Sequence, residues 1–353
     1  MDNLIFSHGG DIYGVKRKYG KEVIDFSANI NPLGLPPEAK KVIARNFDSI
    51  LHYPDPQLKD ISRRIAQYWG IKEENILVGN GSIELIYLLT SCFKPKATLI
   101  AVPGFSEYER AAKIAKSRIK FLELKEEEGF KLDLSRIPNS DIFFFSNPNN
   151  PTGNLILDDY CGIERLPNGL IVVDEAFMDF VPQEKNYTLI YKAQKFKKIV
   201  ALRTFTKFFA LPGLRIGYLI AHKDIIRALK QHQMPWSVNA LAQRLAEVML
   251  NNETYIKKTH LLIAKEREFL FDALKKTKGL IPYPSVANFL LLKIVDENIN
   301  SSELTNKLIQ RGILIRDCSN FRGLDNKFIR IAVRSRKENL RLIDALKGTV
   351  CKT

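Results

Sequence analysis

Six short runs of apolar, largely β-branched or aromatic residues punctuate the middle of the chain, at 76–78, 98–102, 142–145, 170–173, 199–202 and 216–221. Each is nearly continuous in its apolar character, whereas a strand with one wet face would alternate. Strands of this kind must be covered on both faces, and helical patterns lie between several of them. Leu58, Ile61, Ile65 and Tyr68 recur at helical spacing, with Gly70 as a stop signal. The alternation predicts an α/β protein built on a mostly parallel sheet.

The pattern changes after about residue 233. A long helical stretch is expected over 241–276, then a strand over 288–293. A helix over 303–311 follows, with Ser301 or Ser302 as N-cap and Gly312 as C-cap. A last helix opens on the capping box Ser335-x-x-Glu338 and is expected to end at Gly348. The 353 residues exceed the size at which a single core stops growing. The expected division is an arm over 1–44 that contributes to the small domain and the active site, a large domain over 45–233, and a smaller α+β domain over 234–353. Pro32, Pro36, Pro37 and several glycines give the first 40 residues the look of an arm rather than a packed unit.

The formal net charge of +15 invites a nucleic-acid reading. The lysines are spread along the whole chain, however, with no zinc-finger spacing and no basic-region heptad. A basic surface equally suits an anionic small substrate. Cys92, Cys161, Cys318 and Cys351 form no CxxC pair, and the five histidines show no HxxxH spacing, so neither a disulfide framework nor a metal site is expected. No apolar run approaches the length of a membrane helix and no signal peptide is evident, so a cytoplasmic location without membrane contact is expected.

Four stretches carry chemistry. The first is Arg203-Thr-Phe-Thr-Lys207, leading on to Arg215. A lysine just beyond an apolar strand, flanked by hydroxyls and followed by arginine, suits an aldehyde cofactor that bears a phosphate: the amine forms an imine. Thr204, Thr206 and Arg215 can bind the phosphate. The second is Val172-Val-Asp174-Glu, an acid at the end of a buried strand, where α/β sheets place their ligands; a helix N-cap would use the same residue type. Third, Ser146-Asn-Pro-Asn-Asn150-Pro-Thr-Gly153 forms a rigid turn at a strand end, with side-chain amides that can reach a ligand. Fourth, Gly79-Asn-Gly81-Ser82 opens a helix whose N-terminus attracts anions.

Together and in this order, these stretches resemble the aspartate-aminotransferase superfamily, the fold-type I pyridoxal-phosphate enzymes. The resemblance spans nearly the whole chain and implies that fold and pyridoxal 5'-phosphate as cofactor. It implies that Lys207 is the Schiff-base lysine and that Asp174 faces the protonated ring nitrogen, which makes the ring a better electron sink. Asn150 would bond the ring hydroxyl, and Gly81, Ser82, Thr204, Thr206 and Arg215 would hold the phosphate. Phe105 matches the aromatic that stacks on the ring. Tyr53, in Tyr-Pro-Asp-Pro-Gln, matches a tyrosine that reaches the neighbouring subunit's cofactor, which implies a homodimer. Arg330 matches the arginine that binds a substrate carboxylate. Phe177 stands where such aminotransferases commonly have tyrosine, which removes one donor to the ring oxygen.

Two branches are similar in detail, histidinol-phosphate aminotransferases and threonine-phosphate decarboxylases. The second also shares His8-Gly-Gly10, Asp25-Phe-Ser-Ala-Asn-Ile-Asn31-Pro-Leu-Gly34, Asp-Glu-Ala-Phe177 and the run beginning at Ala332. A decarboxylase should anchor its phosphorylated amino-acid substrate through the phosphate, for which His8, Asn31, Arg316 and Arg330 are the candidates. An aminotransferase, or a non-catalytic regulator that binds the same cofactor, stands as the alternative at this point. Near a terminus, the ordinary fate of a residue such as His8 is a loose arm; that of Arg316 is a surface ion pair of little worth.

Overall fold

The computed structural model describes residues 8–350. Its centre is a seven-stranded sheet in the spatial order Ile76–Gly79, Gly217–Ala221, Ile199–Thr204, Leu170–Asp174, Ile142–Ser146, Ala97–Val102, Arg118–Glu123. Only Gly217–Ala221 runs antiparallel to its neighbours. Successive side chains of one strand enter different cores: Phe143 and Phe145 join one apolar cluster, Ile142 and Phe144 the other. That is the two-sided burial the continuous apolar runs require.

The strand at Arg118–Glu123 was not foreseen. It lies at the sheet edge, and its charged side chains are exposed, so it lacks the apolar signature. Lysine and other charges on an edge strand also discourage pairing with another chain.

A smaller antiparallel sheet has the order Arg316–Asp317, Phe328–Ala332, Phe289–Ile294, Leu280–Pro282. The helical stretch expected over 241–276 is two helices, Ala240–Met249 and Glu253–Lys275. Asn252 accepts from the Tyr255 N–H and starts the second. The next helix, Ser301–Gln310, begins two residues earlier than expected, because Asn300 and Glu303 form the capping box. In the last helix Ser335 and Glu338 do bond each other, but Arg336–Val350 runs through Gly348.

The N-terminal segment is more structured than its composition suggests. Ile12–Tyr19 is a helix capped by Asp11, and Ile24–Asp25 pairs in parallel with Ile313–Leu314. Val15, Ile309 and Leu314 share a small apolar cluster that fastens the segment. No helix among the described residues is long and apolar enough to cross a membrane.

Candidate active site

The parallel strands end on the same edge of the sheet, at Gly79, Val102, Ser146, Asp174 and Thr204. A cavity of about 390 Å³ opens there, between this edge, the small sheet and residues His8–Gly9 of the N-terminal segment. Its position follows the general rule for open α/β sheets.

One end of the cavity is built for an anion. The helix Gly81–Phe93 points its N-terminus at it, and Ser82, Thr204, Thr206 and Arg215 line it. Gly81 has φ +76°, and a Cβ there would lie 2.5 Å from Arg215 Nη2. At Gly217 a Cβ would lie 2.7 Å from the Ser82 nitrogen. Glycine at both points lets the backbone turn and the guanidinium close on one small space. Thr204 Oγ1 accepts from the Thr206 N–H at 3.2 Å, which sets the two hydroxyls side by side.

Lys207 lies beyond the end of the Ile199–Thr204 strand and faces this cavity. Burial first, then the positive charges of Arg330 and Arg215, bring its ammonium down to about 8. Asp174 ends the neighbouring strand. Tyr108 donates to its Oδ2 at 2.7 Å, and the Ala176 N–H donates to Oδ1 at 3.0 Å. Burial nevertheless raises its carboxyl above the ordinary range, so the site favours a positive partner for it. Phe105 forms part of the wall, edge-on to Tyr108. Phe177 also lines the cavity and packs edge-on against Phe289.

Behind these groups sits a buried ion cluster that sequence reasoning missed. Arg203 is fully buried. Its Nε donates to Glu175 at 2.9 Å, its Nη1 to Glu184 at 2.7 Å and Asp179 at 3.2 Å, and its Nη2 to Thr188 at 3.1 Å. Glu175 follows Asp174 and Arg203 precedes Thr204, so this cluster ties together the two strand ends that present the acid and the hydroxyls.

The small sheet supplies two arginines. Arg316 and Arg330 are direct partners across adjacent antiparallel strands, and both line the cavity. Burial holds both guanidinium groups below their ordinary range, Arg330 at about 10. Arg330 donates to the Ser27 carbonyl at 2.9 Å and to Asn150 Oδ1. Because guanidinium only donates, the Asn150 oxygen must face it, which leaves the amide N–H₂ as a donor for a ligand.

Eight further expected residues lie around the same space: His8, Ser82, Phe105, Asn150, Thr204, Thr206, Arg215 and Arg316 all line it. Gly81 sits behind Arg215. Asn31 does not line the cavity. Its amide nitrogen donates to the Phe208 carbonyl and the Thr259 hydroxyl, and its oxygen accepts from the Leu33 N–H, so every polar atom serves the scaffold. Asn29, two residues earlier, is the one that faces the cavity, with a buried and unpartnered Oδ1. Only its place in the same motif could have singled it out. Tyr53 is 82% exposed, tilted against the Trp236 ring and outside the cavity lining.

An anion pocket that only glycine permits, a buried amine, a buried acid and an aromatic wall fit a phosphorylated aromatic aldehyde.

Comparison with known proteins is consistent in kind. The family model described as aminotransferase class I and II matches residues 21–346. A threonine-phosphate decarboxylase of Salmonella typhimurium is 37% identical, over 98% of this chain and 96% of that protein. The crystal structure of L-threonine-O-3-phosphate decarboxylase from Porphyromonas gingivalis superposes with a TM-score of 0.82 at 29% identity, covering 93% of this chain and 99% of that one. The histidinol-phosphate aminotransferase of Clostridium acetobutylicum gives a TM-score of 0.86 at 33% identity, with the same coverage.

Proposed function

The chain belongs to the aminotransferase class I and II family, and from that premise we propose that it decarboxylates L-threonine O-3-phosphate to 1-aminopropan-2-ol O-phosphate, a step of cobalamin biosynthesis. It is a pyridoxal-phosphate enzyme. When bound, the cofactor supplies a ring that accepts the electron pair released at the substrate's Cα.

The protein's part is binding, orientation and proton handling. Lys207 is the amine for anchoring the cofactor aldehyde, and it moves a proton at the substrate's Cα. Asp174, steadied by Tyr108, holds the proton on the ring nitrogen. Ser82, Thr204, Thr206 and Arg215, with the helix N-terminus at Gly81, grip the cofactor phosphate. Asn150 offers its N–H₂ to the ring oxygen, and Phe105 covers one face.

One observation carries the reading of a phosphorylated substrate. Like charges directly opposite on paired strands repel, yet Arg316 and Arg330 are so paired and both face the cavity. A doubly charged phosphate between them removes that repulsion and forms charge-assisted hydrogen bonds. With His8 and Asn29 on the same side, the substrate's phosphate is gripped at its far end. No arginine would then be spent on the carboxylate, and these residues would orient the substrate for loss of CO₂ rather than for transfer of its amine.

The test is direct. Purified protein loaded with cofactor is expected to release CO₂ from L-threonine O-3-phosphate, with free threonine a very poor substrate. Transamination of histidinol phosphate with 2-oxoglutarate, without CO₂ from threonine phosphate, would show that the aminotransferase branch is the right one.

The same reading includes a homodimer with Tyr53 donated across the interface, supported by the exposure of that ring. It also includes a cytoplasmic setting, supported by the free thiols Cys92, Cys161 and Cys318, which suit a reducing compartment.

A further inference from the structure

Glu107 stands in the first turn of the helix Ser106–Ile114, one residue before Tyr108, and is 4% exposed. Both of its oxygens are taken by donors. Tyr87 donates to Oε2 at 2.6 Å, and His8 Nε2 lies 2.7 Å from Oε1. Arg110 lies farther off, at 3.8 Å. The His8 contact is the main reason this carboxyl sits below its ordinary range, so Glu107 is an acceptor and nothing else. His8 Nε2–H is therefore committed to Glu107, so a phosphate, which only accepts, can be met only by an N–H on Nδ1; a ring with hydrogen on both nitrogens is the form that a carboxylate on one side and a phosphate on the other both favour.

Glu107 does not line the cavity, whereas His8 does, with its ring tilted against Phe105 at 5.5 Å. The backbone beside His8 is pinned as well. Gly10 N–H donates to Ser27 Oγ at 2.7 Å, and a Cβ on Gly9 would overlap the Ser27 carbonyl. An N-terminal residue is thus held over the cavity by a buried carboxylate that lies outside it.

We propose that Glu107, braced by Tyr87, is a positioning residue that takes the Nε2–H of His8 and fixes the ring's angle so that its Nδ1–H donates to the substrate's phosphate. The proposal rests on the functional reading above only for which phosphate ester is bound, because both candidate substrates carry the same group. In Glu107→Gln, the amide keeps the shape but offers one oxygen to two donors, so one donor must face an N–H₂.

Two measurements on the cofactor-loaded enzyme test it. With the phosphorylated substrate bound, imidazole ¹⁵N NMR is expected to show hydrogen on both ring nitrogens of His8, and the loss of that pattern in Glu107→Gln. In steady state, Glu107→Gln is expected to raise KM for the phosphorylated substrate by roughly tenfold, the scale of one charge-assisted contact, with a smaller change in kcat. His8→Ala should raise KM similarly, and the double variant no further, because the two residues act as one unit.

If Glu107→Gln does not fold, Tyr87→Phe reads the same cycle with an effect of about two- to fivefold. A KM effect of Glu107→Gln that persists in the His8→Ala background, or a His8 hydrogen pattern in the bound complex that Glu107→Gln leaves unchanged, would overturn the proposal. If wild-type enzyme turns over histidinol phosphate instead, the same cycle on that substrate's KM tests Glu107 separately from the choice of reaction.

Discussion

A lysine in water stays protonated to above pH 10, and a protonated amine cannot attack an aldehyde. The burial and two arginines that hold Lys207 at about 8 therefore change what it can do. Because the shift is downward, the neutral amine dominates above about pH 8 and falls about tenfold per unit below it. Cofactor-free protein should capture pyridoxal phosphate at a rate that rises to about pH 8 and then levels off. Borohydride should then fix the cofactor to the peptide containing Lys207. A rate still climbing at pH 10, or label on another lysine, would exclude this assignment. Lys207 and Asp174 were legible in the sequence because each follows directly from a strong strand signal. Asn29 and Asn31 were not separable there. Both are asparagines of one motif, and only the fold turns Asn31 inward to Thr259 and leaves Asn29 facing the cavity. Glu107 was hidden for a similar reason: an acid in a first helical turn reads as a partner of the helix dipole.

Elements of the sheet were legible where burial was complete and obscure where it was not. Six of the seven strands announce themselves as apolar runs, yet nothing in 216–221 shows that this strand runs antiparallel. The edge strand Arg118–Glu123, wet and charged, gave no signal. The break at Asn252 was missed because the apolar period continues across it while the backbone restarts. What holds the cavity-facing ends of the strands together is also invisible to periodicity, since Arg203 lies inside an otherwise apolar strand. Removing one member of such a cluster leaves charges buried without partners, which costs more than the pairing itself contributes. Burial and the mutual repulsion of Asp179, Glu184 and Glu175 already raise the Asp179 carboxyl despite Arg203. Arg203→Met, which keeps most of the stem volume, is expected to lower unfolding free energy in urea by about 3–5 kcal/mol. It should also weaken cofactor retention, because Thr204 and Asp174 lose their shared tether. A variant as stable as wild type would mean that the three acids relax to water at little cost.

At the scale of the whole molecule, an apolar surface and a strongly basic charge pull in opposite directions. Leu51 is 75% exposed, and Phe47, Ile50, Tyr53, Met234 and Trp236 are also exposed, with the rings of Tyr53 and Trp236 in contact. The 3₁₀ turn Phe47–Leu51 packs beside the helix Ala240–Met249, so these residues come from neighbouring parts of the fold. Patches of this kind on a folded chain mark association surfaces. A net charge of +15 on each copy opposes that association at long range. The proposed homodimer should therefore tighten as salt is raised from low levels, since screening weakens the repulsion and leaves apolar burial in place. Light scattering across a salt series would read this, with dimers expected throughout and dissociation strongest at the lowest ionic strength. If Tyr53 serves the partner's cofactor, Tyr53→Phe should weaken cofactor retention by about 0.5–1.5 kcal/mol, one neutral hydrogen bond, without altering the dimer. A fully active monomer that keeps its cofactor would show that each copy completes its own site and that the exposed rings serve another purpose.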